Sequence, residues 1–212
     1  MMNVLIVDDH AVVRRGLREI IEDHIDGAKV AEAIDTASAL AALRGHAWDL
    51  LLLDLSLPGC GGFEVLREVK ALRPELPVLV VSMHPEESHG ARVIKAGAAG
   101  YLNKECAPDE LANAVRCVAS GGRYVGSRLA QALAAALQTD GASASAADLS
   151  RREFQVLCAL GTGRTSKQVA VDLALSIKTV STYRTRLLAK LKLSTTAELI
   201  RYAIEHGLVS SP

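Results

Sequence analysis

Aromatic residues are scarce in this chain: Phe, Trp and Tyr together make up 3% of its 212 residues. That scarcity disfavours recognition of RNA or single strands by stacking bases on rings, so any nucleic acid bound is expected to be duplex DNA. Long hydrophobic runs are also missing. Val4–Val7 and Leu50–Leu53 fall far short of the roughly 18 residues that span a bilayer, so no membrane partner is expected. The first apolar run ends in Asp8-Asp9, with neither a basic n-region nor a small-residue cleavage site. No secretory signal is read, and a cytoplasmic protein is expected. The four cysteines (Cys60, Cys106, Cys117, Cys158) form no C-x-x-C pair and no zinc-like spacing with His, so neither a disulfide nor a zinc framework is expected. A charge excess is lacking too, with 24 Lys+Arg against 24 Asp+Glu. At face value that argues against a nucleic-acid binder. The zero is a cancellation, however: residues 1–140 carry 14 basic against 19 acidic groups, and residues 141–212 carry 10 against 5.

Half of the residues are apolar, enough for one domain and a second, smaller one. Strand-length apolar runs recur at Val4–Val7, Leu50–Leu53 and Val78–Val81, with weaker ones at Lys29–Ala33 and Gly100–Leu102. Amphipathic stretches of helical length separate them, the pattern of parallel βαβ units. The strongest runs lack polar alternation, as strands covered on both faces do. The expected fold is α/β, a doubly wound sheet of five parallel strands in residues 1–120. Residues 121–147 read as a linker containing an Ala/Leu-rich helix, Ser127–Gln138, followed by a flexible Thr139–Ala147. From residue 148 to 212 the pattern is all-α, with helices at Arg151–Leu160, Ser166–Leu173, Ile177–Leu191 and Thr196–His206.

The strand ends carry the chemistry. The first run ends in Asp8-Asp9, the third in Asp54, the fourth in Ser82, and the fifth leads into Lys104. In an open parallel sheet ligands bind at the C-terminal strand ends. Singly, such residues are turn formers or helix N-caps; five at one edge call for another account. Three carboxylates gathered there repel one another unless a cation sits among them, and oxygen ligation suits Mg²⁺. A carboxylate beside Mg²⁺, a Lys and a hydroxyl has what an incoming phosphoryl group needs.

Val7-Asp8-Asp9-His10, the segment from Asp54 through Leu57-Pro58-Gly59-Cys60-Gly61-Gly62, Ser82, Tyr101 and Lys104 together resemble a response-regulator receiver domain of two-component signalling. The resemblance covers about residues 1–120. It implies that Asp54 is the phosphoacceptor, that Asp8, Asp9, Asp54 and the Ser56 carbonyl hold Mg²⁺, and that Lys104 contacts the phosphoryl oxygens. Ser82 and Tyr101 would then form a switch, the Ser82 hydroxyl drawn inward and the Tyr101 ring following. Pro58 and Gly62 fit a tight loop that keeps Asp54 exposed. His84 reads as a solvated loop histidine.

In the basic tail, Thr165–Leu173, a turn at Ala174–Ser176 and the helix from Ile177 have the layout of a helix-turn-helix. Ile177, Val180, Leu187, Leu188 and Leu191 share one face of that last helix. Lys178, Ser181, Thr182 and Thr185 share another, flanked by Arg184, Arg186 and Lys190. Short hydroxyls let a helix approach base edges, and flanking cations suit phosphates. Leu149-Ser150-Arg151-Arg152-Glu153, Ser166-Lys167-Gln168-Val169-Ala170, Leu175-Ser176-Ile177-Lys178-Thr179-Val180 and Lys190-Leu191 resemble the LuxR-type helix-turn-helix. With the receiver, the whole chain resembles the NarL/FixJ class, and Thr179-Val180-Ser181-Thr182-Tyr183 is similar to the BvgA/EvgA subgroup. Ser181 and Tyr183 stand where many members carry Lys and His. The resemblance implies a DNA-binding transcriptional regulator in which Lys178, Thr179, Ser181, Thr182, Arg184, Thr185, Arg186 and Lys190 meet DNA. Its implied partners are a sensor histidine kinase, a second copy of the phosphorylated chain on promoter DNA and, as a further candidate, RNA polymerase. In this class the last helix commonly helps dimerise; Leu199, Ile200, Ala203 and Ile204 could serve that or pack on their own domain.

An Asp nucleophile beside Mg²⁺ also defines haloacid-dehalogenase-like phosphatases. Those need a second Asp two residues on as general acid, and that position is Ser56 here. The chain is therefore expected to be no enzyme beyond slow self-dephosphorylation. Output by protein contact alone is the other alternative, and the basic tail speaks against it.

Overall fold

The computed structural model describes residues 1–57, 61–138, 149–206 and 208–209. The chain divides into two compact units, whose described residues are 1–57 with 61–138, and 149–209 without residue 207. The expected flexible stretch Thr139–Ala147 and the loop residue Pro58 lie outside the described residues.

In the first unit the elements run β1 (Met2–Val7), α1 (Ala11–His24), β2 (Ala28–Ala33), α2 (Thr36–Gly45), β3 (Leu50–Leu53), α3 (Gly61–Leu72), β4 (Val78–Ser82), α4 (Glu86–Lys95), β5 (Gly100–Asn103), α5 (Pro108–Ala119) and α6 (Ser127–Gln138). The five strands form one parallel sheet in the order β2-β1-β3-β4-β5, the doubly wound arrangement. Every residue of β3 and β4 is buried, because helices cover both faces of the central strands. Val4, Ile6, Leu50, Leu52, Leu79 and Val81 face one way, into a core shared with Leu17 and Ile21 of α1 and Leu111, Val115 and Val118 of α5. β2 is an edge strand with only Ala33 buried, which is why its apolar signal is faint. The register Val7↔Leu53 and Leu53↔Val80 sets the ends of β1, β3 and β4 side by side. Past α5 the chain continues along β5: the Tyr101 amide donates to the Tyr124 carbonyl at 3.0 Å, and the Tyr124 amide to the Ala99 carbonyl at 3.0 Å. α6 then packs on α4.

The second unit consists of α7 (Arg151–Gly161), α8 (Ser166–Asp172), α9 (Ile177–Leu191) and α10 (Thr196–Glu205). Each begins at a side-chain cap. Ser150, Thr165 and Thr195 close capping boxes with Glu153, Gln168 and Glu198, and Ser176 accepts from the Thr179 amide. α7 and α10 meet at small residues: a Cβ on Gly161 would lie 2.6 Å from that of Ala203. Leu199 and Ala203 are fully buried in this packing, so of the four α10 side chains considered for dimerisation only Ile200 and Ile204 stay partly exposed. Among the described residues Cys106 and Cys117 are free thiols.

Glu153 does more than cap α7. It is 3% exposed and takes the Lys190 ammonium of α9 at 2.7 Å. Burial alone would raise its carboxyl, but Lys190 and the amide and hydroxyl of Ser150 outweigh that and hold its pKa at about 2, against an ordinary 4.5. A depressed pKa contributes stability that is present above the unfolded value and lost as pH falls toward the folded one. Glu153→Gln is therefore expected to destabilise the helical unit by about 1–3 kcal/mol at neutral pH, with the difference disappearing between pH 4.5 and about 2. Amide exchange in α7 and α9 across that range measures it; equal exchange at pH 7 would contradict the coupling.

Candidate functional site

Asp8 follows β1, Asp54 follows β3 and Ser82 ends β4, so the sheet carries all three to one edge. Asp8, Asp54 and Ser82 are 1%, 2% and 0% exposed. Lys104, which follows β5, reaches back between the carboxylates, its Nζ 2.6 Å from Asp8 Oδ2 and 2.8 Å from Asp54 Oδ2. Backbone amides orient the other oxygens: His10 donates to Asp8 Oδ1 at 2.7 Å and Ser56 to Asp54 Oδ1 at 3.0 Å. Asp9 lies further out, with His10 Nδ1 2.9 Å from its Oδ1. Ligand atoms of Asp8, Asp9, His10 and Asp54 all lie within 4.8 Å of one another. Three carboxylates around one ammonium leave the cluster short of positive charge, so its donor set fits a hard divalent cation. His10 is the member that sequence reading did not assign. The signal was its place directly after Asp8-Asp9.

α3 approaches this loop so closely that a Cβ on Gly62 would overlap the Asp54 carbonyl and the Leu55 Cα. The glycine is needed for close approach. It does not keep Asp54 exposed, since the side chain lies buried at the floor of the strand ends.

Ser82, Tyr101 and His84 form one hydrogen-bonded set. The His84 amide donates to Ser82 Oγ at 3.2 Å, and the Tyr101 hydroxyl donates to the His84 carbonyl at 2.8 Å. Tyr101 is 1% exposed, so its ring already occupies an inward position. His84 corrects its reading as a solvated loop histidine: it is half-buried, and its ring stacks on the buried His89 with centroids 4.7 Å apart. Sequence inspection missed this because the stacking partner lies on the next helix.

In the second unit α8, a turn and α9 make the helix-turn-helix. Ala174 takes φ +52° in the turn, and the Leu175 amide returns to the Ala170 carbonyl at 2.8 Å.

The family comparisons match both units. The model described as "Response regulator receiver domain" covers residues 4–116, and that of the "Bacterial regulatory proteins, luxR family" covers 147–203. The chain belongs to the two-component response regulators. It joins a receiver to a LuxR-type DNA-binding domain, in the manner of the NarL/FixJ class. The regulator is 40% identical to "Response regulator UvrY" of Escherichia coli K12, over 100% of this chain and 97% of that protein. It is 35% identical to "Response regulator GacA" of Pseudomonas aeruginosa PAO1, over 100% and 99%. Among solved structures it resembles RcsB of Salmonella enterica serovar Typhimurium bound to promoter rprA with the phosphomimetic BeF3-, at TM-score 0.62 and 27% identity, covering 95% of this chain and 98% of that one. Nothing in these matches supports the phosphatase alternative.

Within the regulator, α9 buries Val180 and Leu187 fully and Leu191 nearly so. Ile177, expected on that apolar face, is the first residue of α9 and is 55% exposed. Lys178, Ser181, Thr182, Thr185 and Arg186 are exposed. Ser176, Lys178, Thr179, Thr182, Tyr183 and Arg186 line a hollow of about 330 Å³, so Tyr183 joins the surface. Two expected DNA contacts have other work: Lys190 holds Glu153, and Arg184 donates to Thr196 Oγ1 at 3.0 Å.

Proposed function

We propose that the regulator is switched by phosphoryl transfer from a sensor histidine kinase to Asp54, and that the switched form binds promoter DNA as a dimer. The observation carrying this reading is the convergence of Asp8, Asp54 and Lys104 at buried strand ends. The Asp54 carboxylate attacks phosphorus; the P–N bond of the donor phosphohistidine breaks as the new P–O bond forms, and the imidazole leaves. Lys104 neutralises phosphoryl oxygens, and the amide of Ser56 holds one Asp54 oxygen in place. Mg²⁺, held by Asp8, Asp9, Asp54 and the Ser56 carbonyl, would neutralise the remaining charge of the transferring group. Ser82 stands beside the site to receive a hydrogen-bond acceptor, and Tyr101 is joined to it through His84. With no second Asp two residues after Asp54, the protein turns over external phosphates poorly and at most slowly removes its own phosphoryl group.

On the output side, Lys178, Thr179, Ser181, Thr182, Thr185 and Arg186 of α9 face the major groove, while Arg184 and Lys190, engaged with Thr196 and Glu153, hold the unit together beside it. Solved RcsB structures in which two dimers bind two parallel DNAs, at 27% identity, support a dimer on duplex DNA. DNA and the phosphodonor both belong to the cytoplasm, which is the expected compartment.

Incubation with acetyl phosphate and Mg²⁺, followed by peptide mapping and selection of bound duplexes, tests the reading. The label is expected on Asp54, and the labelled protein is expected to select duplex DNA with an affinity that falls steeply with salt. A label on another residue, or unchanged DNA binding, would overturn it.

A further inference from the structure

α6 lies next to the switch, and its attachment is specific. Leu129, in its first turn, is 1% exposed, and a Cβ on Gly90 of α4 would lie 2.5 Å from Leu129 Cδ2. α4 therefore carries a glycine where Leu129 seats. The amide of Leu129 donates to Glu86 Oε1 at 3.1 Å. A Cβ on Gly126 would overlap that carboxylate, so Gly126 supplies no cap of its own and Glu86 of α4 does so from outside. A carboxylate at a helix N-terminus meets both unpaired N–H groups and the positive end of the helix dipole.

Glu86 is also tied to the phosphorylation site. It opens α4 only two residues after His84, whose amide is held by Ser82 and whose carbonyl is held by Tyr101. The strand bearing Tyr101 pairs in turn with Tyr124, just ahead of α6. Both ends of the α6 attachment thus rest on the switch residues.

We propose that α6 is the output element of the receiver, docked on α4 by Glu86 and released when Asp54 is phosphorylated. This rests on Asp54 being the phosphoacceptor. A phosphoryl oxygen recruits the Ser82 hydroxyl, the hydroxyl turns from His84, and the start of α4 shifts with Glu86 on it. Isolated helices shorter than about 12–15 residues are marginal in water, and α6 has 12, so losing its cap and its seat unwinds it. At roughly 1.5 Å per helical residue against 3.3 Å extended, unwinding lengthens the tether that precedes the DNA-binding unit. Glu86 acts here as a positioning residue.

Hydrogen exchange of the full chain, read on peptides spanning 127–138 before and after acetyl phosphate and Mg²⁺, tests the proposal, with uptake read by intact mass. Phosphorylation is expected to speed exchange in α6 about tenfold or more, the size of a loss near 1.4 kcal/mol. Glu86→Ala should show the fast exchange without phosphorylation, and Glu86→Gln, which keeps an acceptor but no charge, an intermediate rate; both should take up phosphoryl as the parent does. Gly126→Ala, which displaces the carboxylate while leaving it present, should resemble Glu86→Ala. Full uptake on Asp54 with unchanged α6 exchange would overturn this inference alone. Slow exchange in Glu86→Ala equal to the parent's would do the same, and absence of uptake would overturn it together with the phosphoacceptor assignment.

Discussion

Asp54→Asn is expected to take up no phosphoryl group from acetyl phosphate, and its affinity for duplex DNA should no longer respond to that donor. The carboxamide has nearly the shape of the carboxylate and can still accept from the Ser56 amide, which now lies 3.0 Å from Oδ1. Its oxygen is a far weaker nucleophile, and the Lys104 contact at 2.8 Å loses its charge on one side. Coupling between two sites is commonly worth about 5- to 150-fold in affinity, so that response should collapse to none. Lys104 keeps Asp8 as its partner at 2.6 Å, so no buried charge is orphaned and the loss in unfolding free energy should stay well below the roughly 3–5 kcal/mol of a broken buried pair. Urea unfolding beside the labelling assay separates lost chemistry from lost structure. Uptake at the parent's rate, on Asp8, Asp9 or elsewhere, would refute the assignment.

The parts of this molecule legible in sequence are those where one physical requirement dominates a short stretch. β3 and β4 are buried on both faces, so Leu50–Leu53 and Val78–Val81 can be read as strands from apolarity alone. The acidic edge follows, because residues directly after parallel strands must share an edge. β2 is faint because an edge strand of which only Ala33 is buried needs no apolar run. What depends on side-chain reach between distant elements is illegible. Glu153 and Lys190 are 37 residues apart and meet only because α7 and α9 pack together; from the sequence Lys190 was one more cation beside a polar helix face. Ser127–Gln138 announces a helix by composition, but its seat on Gly90 and its cap from Glu86, 43 residues before Leu129, do not follow from periodicity. Likewise the stacking of His84 on His89 needs the turn into α4 before it exists.

Lys104→Met is expected to be the costliest single change at the acidic edge, and its cost should depend on divalent cation. The lysine side chain is 5% exposed and both its partners are 1% exposed at their side chains. Methionine can follow the same apolar path, so little cavity arises. What is lost is the one ammonium between Asp8 and Asp54. Removing one member of a buried ion pair costs about 3–5 kcal/mol, because the remaining charges stay desolvated and uncompensated. Against a typical total of about 5–15 kcal/mol, the receiver would be close to unfolding at neutral pH without divalent ions. A cation that binds the folded state alone returns stability by mass action, about 2.7 kcal/mol at one hundred times its dissociation constant. Mg²⁺ should therefore raise the urea midpoint of Lys104→Met strongly and that of the parent less, since in the parent Lys104 already offsets part of the repulsion. Phosphoryl uptake by the Mg²⁺-loaded variant should still be slow, because the transferring group meets no ammonium. Equal midpoints for parent and variant without Mg²⁺ would show that the two carboxylates do not depend on Lys104, and the electrostatic account of the site would fall.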